Sequence, residues 1–105
     1  MENLQFQFHG GHQQPAAAAQ LVGVVSSGNL EVLLETCALG GQCEVQVVTA
    51  ARGFAPVWQA VLRDFHARWQ LRDVRLSIND MGATPAVVAL RLDQVVQAAL
   101  DREPT

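Results

Sequence analysis

The chain has 105 residues, half of them hydrophobic and 16% charged, with a formal net charge of −3. This composition supports one packed domain and argues against global disorder. The acidic balance gives no footprint for nucleic acid, and no apolar run approaches the length of a membrane span.

Met1 is followed by Glu2 with no signal-peptide pattern, so the cytoplasm is the expected compartment. Leu4, Phe6 and Phe8 alternate with Asn3, Gln5 and Gln7, the period-two pattern of a half-buried strand, read as an edge. Residues 9–19 are rich in Gly, Gln and Ala and are marked by Pro15, which reads as a flexible connection. His9 and His12 lie in this stretch with no Cys or carboxylate beside them, an incidental pair and no metal site.

Two apolar runs, 21–25 and 30–35, flank Ser26, Ser27, Gly28 and Asn29. Gly-Asn is a favoured dipeptide for tight turns, because both residues tolerate positive φ. A β-hairpin with Ser26 or Ser27 at its tip follows. No activating His-Asp pair is near, so an enzyme nucleophile is not indicated. An exposed serine can also be a point of covalent attachment, which needs access and no activation.

A second glycine pair, Gly40-Gly41, precedes a third strand over residues 42–50, with Cys43, Val45 and Val47 on one face. Short connections favour antiparallel pairing, so the three strands are expected to lie side by side. Cys37 and Cys43 flank the Gly-Gly turn and are read as two small apolar residues in a reducing compartment.

The period changes over residues 54–71. Phe54, Val57, Trp58, Val61, Leu62, Phe65 and Trp69 form one helical stripe, with Pro56 tolerable in the first turn. His66 falls mainly on the solvated face. Val74, Leu76 and Ile78 then alternate with polar residues and mark a strand, which a crossover through the helix would place parallel to strand 42–50. Asp80, Met81, Gly82 and Ala83 form a loop, Thr84 is a good N-cap, and Pro85 suits the first helical position. Val88, Leu92, Val95, Val96 and Ala99 make the stripe of a second helix, followed by a polar end over residues 101–105.

The expected fold is α+β: residues 1–105 as a single domain, with a mostly antiparallel sheet of about five strands and two helices packed on one face.

The run from Val22 to Glu35 (VGVVSSGNLEVLLE), with DMGATPAVVALRLDQV near the C-terminus, resembles the acyl carrier (delta) subunit of biotin-independent malonate decarboxylase. A more distant likeness is to the acyl carrier subunit of citrate lyase. The likeness runs from about Leu4 to Leu100, with both motifs in order. Ser26 stands where the family commonly has Gly, and Asn29 where it commonly has Asp. The Asp-Ser-Leu motif of the four-helix carrier bundles is absent.

The resemblance implies a non-catalytic carrier domain spanning the chain. Ser27 would bear phosphoribosyl-dephospho-coenzyme A through a phosphodiester, with Ser26, Gly28 and Asn29 as the flanking loop. A transferase partner would exchange acetyl for malonyl on the arm, and a decarboxylase partner would release carbon dioxide. A prosthetic-group transferase would install the arm. Asp80, Gly82 and Thr84 are open to two readings, a turn with a helix cap or a surface read by a partner. The rival functions are a citrate-lyase-type carrier and an unmodified protein-interaction module.

Overall fold

The computed structural model describes residues 1–14, 21–27 and 29–100, with the backbone alone for 21–27. The polar end 101–105, residues 15–19 of the expected connection, and Gly28 lie outside the described residues. Five strands and two helices follow in order: β1 (Glu2–Phe8), β2 (Leu21–Ser27), β3 (Leu30–Thr36), β4 (Cys43–Thr49), α1 (Ala55–Trp69), β5 (Val74–Asp80) and α2 (Pro85–Leu100).

The strands form one sheet in the order β1-β4-β5-β3-β2. β1–β4, β2–β3 and β3–β5 pair antiparallel, whereas β4–β5 pair parallel. The sheet is therefore mixed, and the expected side-by-side trio of strands is corrected: β5 inserts between β3 and β4. Thr36 and Cys43 both take Val74 as their register partner, one on each side. They stand two strand spacings apart, about 10 Å. Residues 37–42 cross the end of β5 and do not close a hairpin, so Cys37 and Cys43 do not face each other across one.

Asp73 holds that crossing in place. Its Oδ1 accepts the N–H groups of Leu39 at 3.0 Å and Gly41 at 2.9 Å. Its backbone O accepts from Cys37 N–H, and its own N–H donates to Gln42 O. The bonds from Gly41 and Leu39, and then Arg72 beside Oδ2, hold the Asp73 carboxyl below its ordinary pKa. Both cysteines are free. Burial raises both thiols, and in Cys43 pushes the pKa up to about 12.

Alternation puts one face of the sheet against the helices. Leu30, Val32 and Leu34 of β3, Cys43, Val45 and Val47 of β4, and Val74, Leu76 and Ile78 of β5 are all buried. Each such aliphatic side chain contributes roughly 1.5–3 kcal/mol through its removal from water. Trp58, Leu62 and Phe65 of α1 and the complete expected stripe of α2 close the core. α2 packs over β2 and β3, and α1 packs against α2 and β1. The opposite face is polar: Glu44 accepts from Arg75 Nε at 3.1 Å and from Gln46 Nε2 at 2.8 Å.

The start of the expected flexible connection is anchored, because its backbone groups find partners. His12 and Gln13 N–H both donate to Gln70 O at 2.9 Å, and Arg72 N–H donates to Gln13 O at 3.0 Å. His66 has structural work too. Its Nε2 donates to His9 O at 3.0 Å, and its ring stacks on Phe8 with centroids 5.1 Å apart.

Two outcomes follow for stability. A Cβ at Gly11 would lie 2.0 Å from the Leu71 carbonyl oxygen, whereas one at Gly40 meets open space at φ +66°. Gly11→Ala should therefore cost about 2 kcal/mol or more in urea unfolding, and Gly40→Ala about 1 kcal/mol from the backbone alone. The lowered pKa of Asp73 makes its contribution full above the unfolded-chain value, about pH 4, and lost as pH falls through the lower folded value. The gap in urea midpoint between wild type and Asp73→Asn should accordingly be constant near neutrality and close in acid.

Candidate functional site

The two sequence motifs meet at one end of the sheet. Ser27 pairs with Leu30, Leu30 with Asp80, and Asp80 with Thr49, so a single register row crosses four strands. Ser26 lies in the adjacent row, with Glu31, Asn79 and Val48. Both serines are the last residues of β2, an edge strand, so the turn is one step beyond them. Asn29 sits in that turn and is exposed. Met81 N–H donates to Asn29 O at 2.9 Å, joining the loop after β5 directly to the hairpin.

Asp80 shapes this end. It is 4% exposed, and burial of a carboxylate requires partners for its oxygens. Oδ1 accepts the N–H groups of Gly82 at 3.1 Å and Ala83 at 2.8 Å. Oδ2 accepts the Thr49 hydroxyl at 2.8 Å. Thr49 Oγ1 in turn accepts Ala51 N–H at 3.1 Å, and Ala50 N–H donates to Asp80 O at 2.9 Å. One carboxylate thus organises the loops that follow both β4 and β5. Gly82 supplies the φ of +113° that this turn demands, a value that L side chains rarely adopt.

Thr84 caps α2 as its position suggested. Its Oγ1 accepts Val87 N–H at 3.3 Å, and its carbonyl accepts Val88 N–H at 3.0 Å. Pro85, at the first helical position, gives up no needed donor. The turn-and-cap reading of Asp80, Gly82 and Thr84 therefore has its bonds in place, while Gly82 and Thr84 are also exposed.

Between the starts of the two helices lies an apolar cleft of about 330 Å³. Phe54, Val57, Trp58 and Val61 line one side, and Ala83, Pro85 and Val88 line the other, with Asp80 between them. Phe54 and Val57 belong to the stripe read as core, yet they are 49% and 40% exposed. The start of the stripe lines the cleft instead of closing the core. Sequence reasoning missed Thr49 altogether: a strand-end threonine carries no local sign of a partner thirty-one positions away.

Among the described side chains, Asp80 at this end has its oxygens already engaged, and His66 is committed to His9. Among the described residues no three His, Cys, Asp or Glu side chains gather to hold a metal ion, and no helix is long and apolar enough to cross a membrane.

The ACP family model, "Malonate decarboxylase delta subunit (MdcD)", matches residues 17–99 and so takes in both motifs. The chain belongs to this family. Its relatives include the malonate decarboxylase acyl carrier protein of Burkholderia cepacia, 64% identical over 90% of this chain and 86% of the relative. That of Stenotrophomonas maltophilia (strain K279a) is 58% identical over 99% of both chains. Among solved structures, a chain in the crystal structure of a Pseudomonas malonate decarboxylase hetero-tetramer in complex with malonate superposes with a TM-score of 0.74. It is 41% identical, over 92% of this chain and 97% of that one. Membership of the malonate decarboxylase delta-subunit family makes the chain a carrier subunit.

Asp80→Ala would strand two loop N–H groups and the Thr49 hydroxyl, costing about 3 kcal/mol in denaturant unfolding. Asp80→Asn keeps an acceptor for the two amides and should cost about 1 kcal/mol. Amide exchange at Gly82 and Ala83 should accelerate strongly in the alanine variant and only slightly in the asparagine variant.

Proposed function

We propose that this chain carries acetyl and malonyl groups for malonate decarboxylase on a phosphoribosyl-dephospho-coenzyme A arm joined to Ser27 through a phosphodiester. The observation that supports this most is the convergence of the Ser-Gly-Asn hairpin and the Asp80 loop at one end of the sheet, in a chain of this family. The whole of residues 1–105 serves as one carrier domain. Its partners on this reading are the acyl transferase and decarboxylase subunits of the complex and the transferase that installs the arm. Two free cysteines fit a reducing cytoplasm.

When bound, the arm supplies a thiol that holds the acyl group as a thioester, whose carbonyl can accept negative charge in a partner's active site. The chain's own residues supply position. β2 is an edge strand, so the backbone at Ser26 and Ser27 is flanked by a partner strand on one side only. Met81 N–H, bonded to Asn29 O, fixes the hairpin to the Asp80 loop, and the Asp80 bonds fix that loop to β4. An attachment point on a rigid end keeps the acyl group within a bounded volume, which raises its effective concentration at docked partner sites.

Intact mass of the subunit from malonate-consuming cells tests the reading. The expected gain is one phosphoribosyl-dephospho-coenzyme A group, absent in Ser27→Ala. A gain lost only in Ser26→Ala would move the site by one residue. An unmodified protein from such cells would favour the interaction module instead.

A further inference from the structure

The apolar cleft is left open by the packing of the core beside it. Its lining residues Phe54 and Val57 stay half exposed although they continue the stripe of the buried Trp58, Leu62 and Phe65. Its volume of about 330 Å³ lies at the lower end of small-molecule pockets. That size suits a short chain of methylene and amide groups with a two-carbon acyl end. It is small for the apolar face of a helix.

Two features connect the cleft to the hairpin. Asp80 lines it, and Asp80 is two register partners from Ser27, about 10 Å across the sheet. The Asp80–Ala83 loop that forms one wall is bonded to the hairpin turn through Met81 N–H and Asn29 O. A group anchored at the end of β2 thus has the cleft at the same end of the sheet, two strands away.

The charge of the lining adds selectivity. None of the lining residues is Lys, Arg or His, and Asp80 is the one ionisable side chain among them. A second carboxylate entering here would lose water, meet no cation and stand near Asp80, each of which is costly. An uncharged acyl end meets a mostly apolar lining and brings no second charge.

Resting on the carrier reading, we propose that this cleft seats the acetyl-loaded end of the arm borne by Ser27 and refuses the malonyl-loaded end. The acetyl form is then shielded between turnovers. The malonyl form stays outside the cleft, available to the decarboxylase partner.

The test uses the full chain carrying its arm, confirmed by intact mass, as free thiol, acetyl and malonyl forms. Methyl signals of Val57, Val61 and Val88 and the Trp58 indole signal are followed by nuclear magnetic resonance. Release of the acetyl group by hydroxylamine is timed against free acetyl-pantetheine. Acetylation should move all four signals, and an arm seated about nine-tenths of the time slows release about tenfold. Val57→Glu, at a half-exposed position, should abolish both effects while the fold persists. Malonyl loading should leave the cleft signals where the unmodified protein has them.

A loaded acetyl arm with unmoved cleft signals and unprotected thioester overturns the proposal and leaves the carrier reading intact. Signals that move only on adding the partner subunits overturn it too, and make the cleft a protein-docking surface. Equal movement by acetyl and malonyl forms overturns the selectivity. Absence of the arm in the mass spectrum fails the carrier reading itself, and the proposal with it.

Discussion

Everything in this fold hangs on β5, and two aspartates hold its ends. The strand lies between β3 and β4 and gives register to both. At its start Asp73 accepts two N–H groups of the crossing loop, and at its finish Asp80 accepts two from the loop that leads to α2. An aspartate can do this because a carboxylate has lone pairs to spare for a turn whose amides have no strand to bond. Without these clamps the two loops would carry unpaired backbone donors, and β5 would lack defined ends.

The two clamps differ in what they serve. Asp73 solves a problem of topology: the chain must pass from β3 to β4 and leave room for a strand not yet made. Asp80 sits where the hairpin, the end of β4 and both helix starts come together, so its bonds set the geometry of the candidate site. Its bonds to Thr49, Gly82 and Ala83 are consistent with a carrier, whose task is to hold an attachment point still. The helices contribute differently at their two ends. Both bury a stripe in the core, and residues near both starts also line the cleft.

Much of the fold could be read from period alone. The α2 stripe of Val88, Leu92, Val95, Val96 and Ala99 is buried throughout, and Thr84 and Pro85 begin that helix as their chemistry requires. The first six positions of the expected flexible connection misled, because Gly11 and the polar residues around it look like linker. Gln70, Arg72 and His66, far along the chain, give those backbone groups their partners. The α1 stripe misled at one end for a related reason: periodicity says which face is apolar, and says nothing of where the opposing surface stops.

The sequence by itself determined the local elements, the hairpin that carries Ser26 and Ser27, the helix cap and, through two ordered motifs, the family. These are properties of neighbouring residues, and neighbours are written next to each other. Tertiary structure alone decided the place of β5, because strand order depends on which edges are free when the chain returns. It alone decided that Asp80 bonds Thr49 and that Met81 reaches Asn29, contacts made across the sheet. The cleft arises from the same cause. It is lined by residues from the starts of both helices and the loop after β5, and no single stretch of the chain encodes it.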